Sequence, residues 1–341
     1  MDKKAGAWKR FMAIRGMGSA VTAFVGLIVI YVAFGIINPT VFSGENIGNL
    51  SRSMSKYLLV GIGQSFVMIT GNIDLSIGSL VGMCAMISAT LMANGINPAV
   101  AIFVAFLGAM AVGAINGFLV GKYKLPPFIA TLGTMFGARG IAYMVNDNRN
   151  TDAISSGIGK EAADNFKQAL YYGKTLGVYN TFWVALIIFI IFFFLLSRTK
   201  TGRHIYAVGS NIDAAKLSAV NVVATTIKVY LVSAFCAFVV GLITCSQAGM
   251  GNMEAGNMYE MYAVAAGVIG GISPLGGAGN LLGTFAGAAV WQTLENGLNM
   301  IGAQVGIQRL VIGIIVVFAV LLEVVFRKGV VRRKKNLKTQ Q

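Results

Sequence analysis

The stretch that decides the fold is residues 18–37, which read GSAVTAFVGLIVIYVAFGII, twenty consecutive positions without a charged side chain. As a helix, this run is about 30 Å long, which matches the hydrocarbon core of a bilayer. Five basic residues precede it: Lys3, Lys4, Lys9, Arg10 and Arg15. A secretion signal starts in the same way, but this run is too long for one and no small-x-small cleavage pattern follows. The sequence therefore predicts a retained first membrane helix with its amino end inside.

The composition extends this prediction to most of the chain. Of 341 residues, 56% are hydrophobic and only 11% are charged, whereas soluble domains are about a quarter charged. Mean hydropathy is +0.73. Because the chain lacks evenly spaced ten-residue alternating segments, helices are favoured over a barrel. The predicted fold class is an all-α, polytopic membrane protein.

Nine more apolar segments follow the first, which gives about ten transmembrane or partly spanning helices: 57–71, 76–93, 98–121, 127–146, 180–197, 228–248, 260–273, 281–301 and 308–326. Alternating crossings place both termini in the cytoplasm, together with residues 122–126 and 198–227. This arrangement puts 19 of the 27 lysines and arginines inside, as the positive-inside rule requires. The predicted domains are a basic N-terminus (1–17), a membrane domain (18–326) and a basic tail (327–341).

Residues 147–179 form the largest outside segment, with balanced charges and a polar composition. We expect an exposed external loop with a short helix. The +15 net charge is explained by membrane orientation and needs no nucleic acid.

Two of the apolar segments are short and end at glycine-rich polar breaks. Segments 57–71 and 260–273 run into TGNIDLS at 70–76 and GGISPLGG at 270–277. Paired interrupted helices point to a translocation path. The sequence therefore predicts that these two breaks approach each other in the cytoplasmic half of that path.

Polar side chains within apolar segments are costly, so they indicate a polar cavity or a pairing partner. The ionisable ones are Asp74, Arg139, Glu260, Glu295 and Arg309. Asp74 either caps the half-helix that starts at Ile77 or touches solute. For the amides, hydrogen bonding between helices is the alternative to solute contact. The candidate path residues are Asn72, Asp74, Ser76, Asn116, Glu260, Ser273, Glu295 and Asn296.

Chemistry on the chain itself is disfavoured. A phosphate-binding loop needs G-x-x-x-x-G-K-[ST], but Gly121-Lys122 is followed by Tyr123 and Gly159-Lys160 by Glu161. The single histidine, His204, and three cysteines at unrelated spacings fit neither a metal site nor a nucleophile triad. We predict no enzyme activity, no metal and no cofactor on this chain.

The segment Thr199–Val222 carries a capped helix between two spans. Asn211 is placed to cap a short helix with Asp213 in its first turn. Its small side chains, Ala214, Ala215, Ser218 and Ala219, would fit a groove on a partner protein. The residues predicted to couple this partner are Gly202, Arg203, Asn211, Ala214, Ala215, Lys216 and Ser218.

These features together resemble the permease subunits of sugar-type ATP-binding cassette (ABC) importers. The resemblance covers residues 20–326 and rests on TGNIDLSIGS (70–79), LPPFIATLGTM (125–135), the 199–222 loop, Tyr259-Glu260 leading to Gly270-Gly271, and ENGLN (295–299). Departures from the usual pattern are Asn72, Ser210, Ala219, Tyr262 and Pro274-Leu275. They leave the solute open among pentoses, hexoses, nucleosides and signalling furanoses.

The resemblance implies a set of partners and a location. A second permease chain, identical or paralogous, would complete the pore, and ABC ATPase subunits would use ATP and Mg²⁺ at the cytoplasmic face. An external binding protein would deliver the solute, and the location would be the bacterial inner membrane. The loop 198–227 would then hold the coupling helix. The alternative is a stand-alone secondary transporter or channel, whose intramembrane charges would bind a coupling ion.

Overall fold

A computed structural model describes residues 17–311, 313–315 and 317. The predicted basic N-terminus up to residue 16, the basic tail and most of segment 308–326 lie outside the described residues. The helices are α1 Met17–Ile37, α2 Gly44–Ile69, α3 Ile77–Ala93, α4 Pro98–Gly121, α5 Pro127–Met144, α6 Ile154–Ile158, α7 Lys160–Lys167, α8 Asn180–Arg198, α9 Lys200–Ser210, α10 Ile212–Leu217, α11 Val222–Ala248, α12 Tyr259–Ile269 and α13 Leu281–Met300.

Short elements connect these helices. A 3-10 turn covers Pro39–Phe42 and a π turn covers Gln168–Tyr172. Strands β1 (Lys174–Thr175) and β2 (Val178–Tyr179) form an antiparallel hairpin. Residues 305–311 are helical where the tenth segment begins. The prediction of an all-α, polytopic membrane protein is confirmed.

Helix α2 corrects one prediction, because it has 26 residues, whereas segment 57–71 was predicted to be a short helix. It begins at Gly44, where the Ser43 Oγ accepts the Asn46 N–H at 3.2 Å. Its first half is polar, and this hid it from a hydropathy reading. Within the protein these polar groups have partners: Lys56 Nζ, for example, donates to Gln247 Oε1 at 2.8 Å.

Helix α11 runs through the centre of the bundle and packs on α2, α3 and α4. Glycines allow the close approach of α4. A Cβ on Gly117 would lie 2.5 Å from Ile227 Cα, and one on Gly113 would lie 2.6 Å from Ala234 Cβ. By length and composition, α1, α4, α8 and α11 can each cross a bilayer. The first three expose apolar side chains on the outside of the bundle, which suits contact with lipid.

The first break, residues 70–76, leads from one end of the bundle into its interior. Ile69 lies against Gly209, near the start of α11, whereas the Asp74 carboxylate reaches Ser233. Ser233 lies eleven residues into α11, about 16 Å along its axis. Helix α3 therefore starts inside the bundle, and its 17 residues make it about 25 Å long.

The segment 147–179 is more ordered than an exposed loop. It holds two short helices and the hairpin, and its side chains Ile154, Ala163 and Phe166 build a small apolar core with α3 and α4. The Arg52 guanidinium of α2 lies 4.5 Å from the Tyr171 ring and 4.2 Å from the Tyr179 ring. Cation–π contacts and this core hold the segment over the end of the bundle.

Candidate functional site: two breaks, a mid-depth junction and a docking helix

Asp74 ties the first break to the bundle. Its Oδ1 accepts the Ser76 N–H at 2.9 Å and the Ser76 hydroxyl at 2.6 Å, and its Oδ2 accepts the Ser233 hydroxyl at 2.7 Å. Two further hydrogen bonds extend this network to α4 and α5. Asn116 Nδ2 donates to Ser76 Oγ at 2.9 Å, and the Thr134 hydroxyl donates to Asn116 Oδ1 at 2.7 Å. Asp74 therefore organises the turn before α3. The N-cap residue of α3 is Ser76, whose side chain makes no capping hydrogen bond, so Asp74 holds the N-cap residue and does not itself cap the helix. Its contact with solute stays a prediction.

Asn72 lies apart from this network. Its Nδ2 donates to the Thr70 hydroxyl at 2.8 Å, and the side chain is partly exposed at the break. Ser273, in the second break, is buried, and its backbone N–H donates to Ala278 O at 3.0 Å. Both residues shape their breaks, and whether either touches solute is untested.

The predicted pairing of segments 57–71 and 260–273 as two short helices is half right, because only the second is short. Helix α12 has 11 residues, whereas residues 57–69 belong to the 26-residue α2. The first turn of α12 packs on the start of α3: Glu260 Oε2 lies against Gly78, and Gly256 packs against Gly78 O. The amino ends of α3 and α12 thus meet inside the bundle, and Glu260 places a carboxylate where helix dipoles favour negative charge.

Arg139 supports the irregular chain that leads into this junction. Residues 249–258 descend from the end of α11 to Gly78 without forming a helix. Arg139 Nη1 donates to Met253 O and to Ala255 O, both at 2.8 Å. Bare carbonyls at bilayer depth need such partners, so the charge of Arg139 has a structural role here.

Four aromatic rings surround the carboxylate of Glu295. We call Tyr57, Tyr259, Tyr262, Trp291 and Glu295 the ring–carboxylate cluster. The Tyr57 hydroxyl donates to Glu295 Oε2 at 2.9 Å. Neighbouring ring centroids are 5.0 to 5.9 Å apart. Tyr259, Tyr262 and Glu295 are partly exposed.

Of these five residues only Glu295 was predicted to line the path; Tyr259 and Tyr262 entered only through the family resemblance. The rings come from α2, α12 and α13, so only the fold brings them together. The available signal was the spacing of Tyr259 with Tyr262 and of Trp291 with Glu295, because residues three or four apart share a helix face. Asn296, also a candidate, is not in the cluster. It exchanges two amide hydrogen bonds with Asn46, of 2.9 and 3.2 Å, which ties α13 to α2.

The two breaks meet, as predicted, and α9 packs on both. Gly277 N donates to Ile69 O at 2.8 Å. A Cβ on Gly209 would collide with Ile69 O and would lie 2.7 Å from Gly277 N. The Tyr206 hydroxyl donates to Gly279 O at 2.8 Å. Helix α9 therefore contacts the end of α2 and the second break at once.

Helix α10 follows α9 directly and has the predicted cap. Asn211 Oδ1 accepts the Ala214 N–H at 2.9 Å. A cavity of about 670 Å³ lies between α8, α9 and α10, and five of the predicted coupling residues line it: Arg203, Asn211, Ala214, Ala215 and Ser218. Gly202 instead packs on the last turn of α8. Lys216 forms an exposed ion pair with Asp213 at 3.0 Å.

The outward face of α10 differs from the predicted one. Ala215 is 3% exposed and packs within the chain, so its side chain is not available to a partner, contrary to the prediction. Leu217 is 90% exposed and Ile212 is 48% exposed. These two side chains are the large apolar groups that α10 presents to its surroundings. Ala214 and Ser218 are exposed beside them.

Two abutting breaks inside a helical membrane bundle, the second following the short helix α12, are the arrangement expected of a translocation path and so of a membrane permease. A family model described as the branched-chain amino acid transport system / permease component matches residues 46–320. The chain belongs to this family of permeases.

Similar proteins of known name are import permeases. The chain is 33% identical to the ribose import permease of Bacillus subtilis, over 88% of this chain and 91% of that protein. It is 34% identical to the D-allose transport system permease of Escherichia coli, over 88% and 90%. It is 31% identical to the autoinducer 2 import system permease of an Enterobacter species, over 93% and 90%. No solved structure matches the chain.

Proposed function

We propose that this chain is the permease subunit of an ATP-driven importer and forms the path for a sugar or sugar-like solute. Relatives that import ribose, allose and autoinducer 2 support the solute class. The observation that carries the proposal is the packing of α9 on both breaks, because it joins the docking helix to the path without an intervening flexible segment.

The proposed mechanism follows from that contact. ABC ATPase subunits would use ATP and Mg²⁺ and would contact Leu217 and Ile212 from the cytoplasm. Because only Asn211 separates α10 from α9, a displacement of α10 would press on Gly277 and Ile69, where the breaks meet. A contact between two backbones offers little room to yield, so the displacement would open or close the path there.

The remaining partners follow from the same proposal. The ordered segment 147–179 would receive an external binding protein that delivers the solute. A second permease chain, identical or paralogous, would complete the pore. The complex would reside in the bacterial inner membrane, with both termini in the cytoplasm.

Uptake into proteoliposomes tests the proposal against the secondary-transporter alternative. The permease is reconstituted with its ATPase and binding protein, and radiolabelled D-ribose and D-allose are offered outside. We expect uptake of at least one sugar only with ATP on the ATPase side, and no uptake driven by a proton or sodium gradient alone. Gradient-driven uptake by the permease without its ATPase would overturn the proposal.

A further inference from the structure

The ring–carboxylate cluster lies at the depth where a solute would be furthest from water. Tyr57 is twelve residues from the end of α2 at Ile69, about 18 Å along the helix. The cluster therefore sits above the meeting point of the breaks and beside the junction of α3 and α12. A solute that reaches the breaks from outside passes this level first.

The polar groups of the cluster are not satisfied by the described part of the chain. Tyr259 and Tyr262 make no hydrogen bond through their hydroxyls there, and Tyr57 is the one donor to Glu295. Tyr259, Tyr262 and Glu295 are partly exposed. If lipid covered this surface, their polar groups would face hydrocarbon, and burying unpaired polar or charged groups in hydrocarbon costs free energy. A water-filled path beside them removes this cost.

The chemistry of the cluster selects one kind of solute. Aromatic faces offer apolar contact to the C–H face of a sugar ring. A carboxylate is an acceptor with about four lone-pair sites, and Tyr57 uses one of them. A few placed polar groups among aromatic walls are the usual composition of a small-molecule site.

Glu295 has no ion-pair partner among the described residues. The nearby ammonium of Lys56 is directed to Gln247 at 2.8 Å.

From this geometry we propose that the ring–carboxylate cluster is a transit site that holds a neutral cyclic polyol, a furanose or pyranose, by ring stacking and by hydroxyl donation to Glu295. The inference rests on the proposed function, since it names the solute class and the residues that contact it.

A labelling experiment tests whether the cluster faces water. The three native cysteines, Cys84, Cys236 and Cys245, are buried, so they give little background. Tyr262→Cys should react with a hydrophilic methanethiosulfonate reagent. The control Val29→Cys, at a 60% exposed position in the middle of α1, should react at least tenfold more slowly because lipid covers it. Equal, slow reaction of both variants would overturn the proposal.

A transport experiment tests whether the cluster touches sugar. In the reconstituted complex, the sugar imported per ATP hydrolysed is measured for D-ribose and D-allose at saturating binding protein. Tyr262→Ala and Glu295→Gln should each lower this ratio about tenfold, whereas Tyr262→Phe, which keeps the ring, should retain most of it. ATPase stimulation by the loaded binding protein should stay near the wild-type level in all three variants.

A matched control and the wild type separate the possible failures. Phe103→Ala removes a 58% exposed ring from α4, a helix that packs on α3, α5 and α11, and should leave the ratio unchanged. If the wild-type complex imports neither sugar with ATP, the proposed function fails. If the wild type imports sugar and Tyr262→Ala and Glu295→Gln match it, the transit site alone is wrong.

Discussion

The contact between α9 and the two breaks can be tested at one atom, by the substitution Gly209→Ala. In an exposed helix, a glycine-to-alanine change stabilises by about 1 kcal/mol. At Gly209 the added Cβ would collide with Ile69 O and would lie 2.7 Å from Gly277 N, whereas ordinary contacts begin at 3.4 Å. The difference from the Gly277 N distance is about 0.7 Å, and the backbone must move by more than this because Ile69 O lies closer still.

The size of the effect follows from these opposing terms. Overpacking costs about 1 to 3 kcal/mol, and backbone neighbours, which yield least, favour the upper end. After the gain in helix propensity, the net loss is about 2 kcal/mol, a factor of about 30 in an equilibrium constant. We expect Gly209→Ala to lower the thermal unfolding midpoint and to reduce ATP-driven uptake.

The control is Gly26→Ala in α1, where an added Cβ meets nothing within 4 Å. This variant should unfold at or above the wild-type temperature and transport normally. The two variants are compared by thermal unfolding in detergent and by uptake in proteoliposomes. If Gly209→Ala behaves like Gly26→Ala in both assays, α9 does not press on the breaks and the coupling route is refuted.

Three further predictions concern orientation and the buried polar groups. For the topology, Ser156→Cys should react with an impermeant thiol reagent on intact cells and Ala214→Cys should react only after lysis; the opposite pattern would invert the topology. Asp74→Leu removes the acceptor of three hydrogen bonds and should abolish folded expression, whereas Asp74→Asn should keep the turn; normal transport by Asp74→Leu would show that the network is dispensable. Arg139→Met leaves two buried carbonyls unpaired, at about 1 to 3 kcal/mol each, so residues 249–258 should become susceptible to protease, and unchanged resistance would contradict the role given to Arg139.

The bounds of a helix were predictable where the whole helix is apolar, so that the apolar run and the helix begin and end together. Pro98–Gly121 matches its predicted bounds and Asn180–Arg198 differs by one residue, because the whole helix faces lipid or apolar neighbours. The start of α2 was missed because its first half carries polar groups that find partners only in the folded chain. Hydropathy cannot distinguish such a segment from a loop.

The site was predictable as a list of polar residues but not as a geometry. The meeting of the breaks followed from topology, since both end at the same side of the bundle. Which side chains of α10 point outward could not be predicted, because a six-residue helix of mixed composition has no reliable amphipathic pattern. Ala215 therefore turned inward and Leu217 outward. The ring–carboxylate cluster needed three helices to be placed side by side, which no single segment encodes.

Co-purification of the ATPase with Leu217→Asp tests the central claim most directly, namely that α10 receives the force of ATP hydrolysis. Leu217 is 90% exposed, so the substitution leaves the fold intact. Leu176→Asp, at an 87% exposed leucine in the hairpin turn of the predicted external segment, is the matched control. The account predicts that Leu217→Asp loses the ATPase and the ATP-driven uptake while Leu176→Asp retains the ATPase. Full ATPase binding and full uptake by Leu217→Asp would contradict it.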